Sequence, residues 1–61
     1  SYTLGDVNYD GEINILDVIA TVNFILGEEP TQDEFLAADV TQDGDINILD
    51  VIAIVNIIIA I

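Results

Sequence analysis

The chain has no Lys, Arg or His, no Cys, Met or Trp, and a single Pro in 61 residues. Each absence removes a class of function. Without Cys there is no disulfide to staple a fold this small, and without Lys or Arg nothing can neutralise nucleic-acid phosphates. An anionic membrane surface is excluded on the same ground. Ser1 is the one serine, and with no His, Lys or Cys a nucleophile paired with its base cannot be assembled, so the chain reads as no enzyme. What is present is 12 Asp and Glu, a formal charge of −12, in a chain that is 52% apolar with a mean hydropathy of +0.60. Extreme charge in a polar chain means disorder, but this hydropathy contradicts it. A 60-residue fold buries only about 60% of the surface its unfolded chain exposes and commonly needs an external staple. Composition alone therefore predicts one small domain, residues 1–61, stapled by metal.

Sliding the chain against itself until Asp6 falls on Asp39 pairs Asp6–Gly27 with Asp39–Ala60, and 15 of the 22 positions are identical. Each copy opens on a polar, Gly-containing stretch and continues as an apolar run of helical length, Asn14–Leu26 and Asn47–Ala60. The β-branched residues in these runs (Val18, Ile19, Val22; Val51, Ile52, Ile54, Val55) favour strands by propensity. The runs exceed usual strand length, and the loops before them lead into helices, so helices are predicted. Gly27 is placed to cap the first helix. Thr31-Gln32-Asp33-Glu34 reads as a capping box opening a connector helix through about Ala38. The expected architecture is all-α: three helices, two of them in pseudo-symmetric loop–helix units covering about 6–27 and 39–60, with the first and third antiparallel. The apolar tail Val51–Ile61 spans 11 residues interrupted by Asn56, short of the roughly 20 of a membrane-spanning helix. No signal peptide is visible, so the chain reads as a mature fragment or as a piece excised from a longer chain.

The two copies begin Asp6-Val7-Asn8-Tyr9-Asp10-Gly11-Glu12-Ile13-Asn14-Ile15-Leu16-Asp17 and Asp39-Val40-Thr41-Gln42-Asp43-Gly44-Asp45-Ile46-Asn47-Ile48-Leu49-Asp50. Both are 12-residue EF-hand-type loops, with oxygen side chains at places 1, 3, 5, 9 and 12 and Gly at place 6. Calcium is a hard cation that takes six to eight oxygens at about 2.3–2.6 Å, and alternating side chains of a wrapped loop supply them. The expected ligands are Asp6, Asn8, Asp10, Glu12, Asn14 and Asp17 in the first site and Asp39, Thr41, Asp43, Asp45, Asn47 and Asp50 in the second. Glu12 and Asp45 are expected to ligate through their carbonyls, and Asp17 and Asp50 to close the loops as bidentate ligands. Ile13 and Ile46 are expected to join in a short two-stranded bridge. Asp-rich helix caps would need no metal, but they explain neither the five spaced oxygens nor the Gly nor the recurrence of both in the second copy. Thr41 offers a neutral hydroxyl where the first loop has Asn8, which makes the second site the weaker. Eight of the 12 acids lie in the loops, and two Ca²⁺ would bring −12 to −8.

A standard EF-hand has a helix before its loop, whereas here only Ser1-Tyr2-Thr3-Leu4-Gly5 precedes the first, and the stretch before the second is short and broken by Pro30. A duplicated loop with its exiting helix, closed by Asp instead of Glu, resembles the dockerin type I module over nearly the whole chain, from Gly5-Asp6-Val7-Asn8 onward. The resemblance implies a secreted bacterial module, usually appended to a carbohydrate-active enzyme, that binds a cohesin domain on a scaffoldin and so assembles cellulosomes. It places partner contacts at Ile15, Leu16, Val22, Asn23 and Gly27, and at Ile48, Leu49, Val55, Asn56 and Ala60. The near-identity of these two sets allows two binding orientations related by a half-turn. Well-known members often carry Ser or Thr at the first two places and cations on the helix. Here Ile-Leu and Val-Asn stand there, which resembles hydrophobic dockerin interfaces of other specificity groups.

Packed antiparallel, the two long helices are expected to bury Ile13, Val18, Phe24 and Ile25, with Ile46, Val51, Ile57 and Ile58 as their counterparts. Ile15, Leu16, Ile48 and Leu49 are then hard to bury, which suggests a partner surface. An alternative is a calcium-stabilised module that docks on a neighbouring domain or self-associates, with no cohesin partner. A calcium sensor fits less well, since sensors need entering helices and Met-rich grooves. Tyr2 reads either as a clasp between the termini or as a disordered terminal aromatic.

Overall fold

The computed structural model describes residues 2–60; Ser1 and Ile61, the two ends of the domain read from the sequence, lie outside them. The described chain is all-α, with helices α1 (Ile15–Ile25), α2 (Gln32–Ala38) and α3 (Ile48–Ala60). None of them is long and apolar enough to cross a membrane.

Local chemistry sets each helix end. Asn14 is extended (φ −148°, ψ −170°) and its Oδ1 accepts the Leu16 N–H at 3.0 Å, while Asp17 Oδ2 accepts the Asn14 N–H at 2.8 Å. Asn14 is thus the N-cap of α1 and not its first residue. Asn47 does the same for α3, bonded by Leu49 N–H at 3.0 Å and bonding Asp50 Oδ2 at 2.9 Å. Leu26 caps α1 at its other end. Beyond it Gly27 takes φ +120°, and the bonds Gly27 N–H to Phe24 C=O (3.1 Å) and Glu28 N–H to Asn23 C=O (3.0 Å) complete a Schellman turn. The capping box of α2 forms as its sequence implies, with Thr31 Oγ1 accepting from Glu34 N–H at 3.2 Å and Glu34 Oε1 from Thr31 N–H at 2.8 Å. β-branched content does not make strands of α1 and α3, because a capped start and a buried stripe outweigh per-residue propensities of a few tenths of a kcal/mol.

α1 packs on α3. A Cβ on Gly5 would lie 3.3 Å from Ile13 Cδ1 and 3.5 Å from Ile57 Cδ1. The start of α1 therefore sits beside the end of α3, as in an antiparallel pair. Gly5 is buried at φ +93°, a backbone conformation that disfavours side chains, and its N–H donates to the Ala37 carbonyl at 2.8 Å, tying the N-terminal segment to α2.

Val7, Ala38 and Ile54 form the buried centre, with Ile13, Val18, Ala20, Phe24, Val40, Ile46 and Ile58 packed around it. Three expectations are corrected here. Ile13 and Ile46 form no bridge; they lie against this cluster as partly buried side chains, because packing three helices over the loops draws them inward. Ile25 is 41% exposed, since the inward stripe of α1 runs through Asp17, Thr21 and Phe24, one residue away from it. Ile54, absent from the expected core, is its fully buried centre, and its repeat counterpart Thr21 is buried with its hydroxyl donating to the Asp17 carbonyl at 2.8 Å. The two halves thus differ at a fully buried helical position.

Candidate metal centres and apolar faces

In each loop the closing aspartate is pulled back over the loop start by backbone N–H groups. Asp17 Oδ1 accepts from Val7 N–H (2.9 Å) and Asn8 N–H (3.2 Å), while its Oδ2 holds the N-cap Asn14. Asp50 Oδ1 accepts from the Thr41 N–H (3.0 Å) and the Thr41 hydroxyl (2.8 Å). One carboxylate thereby wraps the loop and starts the helix, and both Asp17 and Asp50 are fully buried. The first aspartate of each loop is held by its glycine: Gly11 N–H donates to Asp6 Oδ2 at 3.0 Å and Gly44 N–H to Asp39 Oδ2 at 2.9 Å. Positive φ at Gly11 (+87°) and Gly44 (+90°) aims those N–H groups inward. Place 4 is also left-handed, at Tyr9 (φ 61°) and Gln42 (φ 59°), which loop spacing alone does not reveal.

The outcome is two carboxylate clusters, Asp6–Asp10–Asp17 and Asp39–Asp43–Asp50, each offering oxygens within 4.8 Å of one another. No Lys, Arg or His exists in the chain to balance them. The Asp10 carboxyl is held below the usual carboxylate range chiefly by the Glu12 N–H at 2.9 Å, against an opposing desolvation, with the Asn8, Asp6 and Asn14 side chains adding to the lowering. Asp43 is lowered in the same way, first by the Asp45 N–H at 3.0 Å. Both therefore favour the ionised, ligating form.

The donor set fits a hard cation. It consists of oxygens alone, and Asp6 Oδ1 is buried with no hydrogen-bond partner, an arrangement that a charged acceptor does not tolerate in the folded interior without a counter-charge. A cavity of about 320 Å³ beside the first loop is lined by Thr3, Asp6, Gly11, Glu12 and Ile13. The Glu12 and Asp45 side chains are exposed and stand outside the clusters, and the Asn14 and Asn47 oxygens are engaged as helix caps. The backbone N–H groups of Val7, Asn8 and Gly11, and of Thr41, Asp43 and Gly44 in the second loop, hold the clustered aspartates, which side-chain spacing does not reveal.

The ten residues to which the resemblance assigns partner contact are all exposed. Ile15 and Leu16 are 61% and 54% open, and Ile48 and Leu49 62% and 55%, so the repeat reproduces one apolar patch at the start of each long helix. Ile19 and Ile52 extend these patches, and Tyr2 is 40% exposed.

Two acidic oxygen clusters, each wrapped onto the start of a helix and repeated across one small core, define a duplicated loop–helix module with two candidate cation sites. The second loop is entered from α2, whose C-cap is Asp39 itself, whereas the first follows a short turn. The family model of the dockerin type I domain matches residues 4–59, and the chain belongs to that family of non-catalytic docking modules. No curated protein and no solved structure matches the chain significantly.

Proposed function

We propose that the chain is a calcium-stapled docking module that binds a cohesin domain of a scaffoldin and so anchors a parent, carbohydrate-active protein outside the cell. Two Ca²⁺ are held by Asp6, Asn8, Asp10, Asn14 and Asp17 with the Glu12 carbonyl, and by Asp39, Thr41, Asp43, Asn47 and Asp50 with the Asp45 carbonyl. The ions neutralise the loops and fix the starts of α1 and α3 through Asp17 and Asp50. Those starts present Ile15-Leu16 and Ile48-Leu49, with Val22, Asn23 and Gly27 or Val55, Asn56 and Ala60 completing each face.

The observation that carries this reading is the pair of open Ile-Leu patches. Burying the open halves of the two side chains of one patch against a partner is worth on the order of 2 kcal/mol, a gain that solvent withholds from the free module. With no cation on the surface, contact rests on apolar burial and on hydrogen bonds from Asn23 and Asn56.

The test is a binding titration against a panel of cohesins, in calcium and in EDTA. A calcium-dependent heterodimer is expected with at least one cohesin. Leu16→Arg and Leu49→Arg together should weaken it by about 100-fold or more, roughly 2.7 kcal/mol, while calcium affinity stays unchanged. Either single variant should bind through its intact face. A concentration-dependent homodimer by light scattering, with no cohesin bound, supports self-association instead.

A further inference from the structure

The two loops match at the three clustered aspartates and differ at place 3, and that difference propagates through the hydrogen bonds. In the first loop Asn8 Oδ1 accepts the Asp10 N–H at 3.3 Å. Asp6 Oδ1 is consequently left buried with no partner. In the second loop Thr41 turns its hydroxyl onto Asp50 Oδ1 at 2.8 Å, and the corresponding Asp43 N–H goes to Asp39 Oδ1 at 3.3 Å. Every buried carboxylate oxygen of the second cluster then has a partner; among the described residues Asp6 Oδ1 alone does not.

From this we infer that the two sites are unequal and load in order, with the first site filling before the second and the place-3 residue deciding the order. The inference rests on the calcium reading above. An oxygen that is buried, charged and unpaired is costly until a cation reaches it, so the metal-free first loop is the less tolerable of the two. A cation there gains an acceptor that nothing else uses. In the second loop the same oxygen already shares its charge with the Asp43 N–H, and the Thr41 proton directed at Asp50 occupies part of the closing carboxylate. Neutral amide and hydroxyl oxygens carry no net charge, so the formal ligand charge of the two sites is equal and local bonding decides between them. The module therefore passes through a half-loaded form whose cation sits against α1.

The two glycines supply separate reporters, since Gly11 N–H bonds Asp6 and Gly44 N–H bonds Asp39. The experiment titrates Ca²⁺ into the EDTA-stripped, dialysed chain and follows both amides by ¹⁵N–¹H correlation spectra. Gly11 is expected to reach its bound position at about tenfold lower free calcium than Gly44, the equivalent of about 1.4 kcal/mol. Thr41→Asn should bring the Gly44 transition down to that of Gly11, and Asn8→Thr should raise the Gly11 transition to that of Gly44. Coincident transitions in the unaltered chain, or Gly44 first, overturn the inference. So does a gap that survives both substitutions, because place 3 would then not set it. If neither glycine responds to calcium, the calcium reading itself fails.

Discussion

If the two clusters hold calcium as proposed, removing the ions is the perturbation whose size can be worked from the structure. Asp6 and Asp17 are both buried, with carboxylate oxygens within 4.8 Å, and Asp39 and Asp50 repeat the arrangement. At an effective dielectric of about 20, two like charges at that distance repel by about 3.5 kcal/mol, so the two buried pairs together oppose folding by about 7 kcal/mol. The single core of a chain this small supplies no more than about 3–5 kcal/mol. The N–H groups on each carboxylate soften the repulsion, yet the same bonds hold the like charges together. The repulsion wins, and metal-free chain should be unfolded at neutral pH, with folding coupled to the filling of the sites. Far-UV circular dichroism is a suitable assay, because α1 and α3, 11 and 13 residues long, dominate the 7-residue α2 and both begin at an acidic cluster. Excess EDTA should abolish most of the helical signal and the cooperative melt, and excess calcium should restore both. Full helix content with a cooperative melt in EDTA would refute the reasoning.

Three further outcomes follow from particular residues. Gly5→Ala should cost about 1–2 kcal/mol from its positive φ, plus crowding of Ile13; Gly27→Ala, with open space around its Cβ, should cost only the backbone strain, and equal denaturation midpoints in calcium would contradict this. Ile54→Ala should cost about 2–5 kcal/mol and leave the chain barely folded even with calcium, whereas Thr21→Ala, losing one hydrogen bond and little volume, should cost about 1–2 kcal/mol; thermal melts that rank them the other way would show that the core is centred elsewhere. Because the folded-state pKa values of Asp10 and Asp43 are depressed, their ionised forms contribute stability that is fully present above the unfolded aspartate value of about 3.9 and is lost as pH falls through the lower folded value. In excess calcium the helical signal should therefore survive to below about pH 4, and a midpoint above about pH 5 would contradict the assignment.

The two acidic clusters and the helix starts were legible because they are written in contiguous residues. Asp6 through Asp17 carries its own spacing, glycine and cap, and a wrapped loop of this kind is closed by short-range bonds. The capping box at Thr31 and Glu34 was legible for the same reason. The Ile13–Ile46 bridge does not form and Ile25 stays exposed, because both depend on how three helices rotate about one another. Periodicity shows that a helix has an apolar face but not which of two adjacent apolar stripes turns inward, and α1 and α3 are apolar on nearly every side.

By itself the sequence determined that this protein is duplicated, helical and carries two acidic clusters that could hold cations: charge without counter-charge, and five spaced oxygens with a glycine that recur in the second copy. Tertiary structure alone decided which aliphatic side chains lie inside. It put Thr21 and Ile54 at equivalent buried places, left the Ile-Leu pairs open, and gave one loop an unpaired oxygen that the other lacks. The physical reason is that local bonds are set by neighbours in the chain, whereas burial of an all-round apolar helix is settled only by what packs against it.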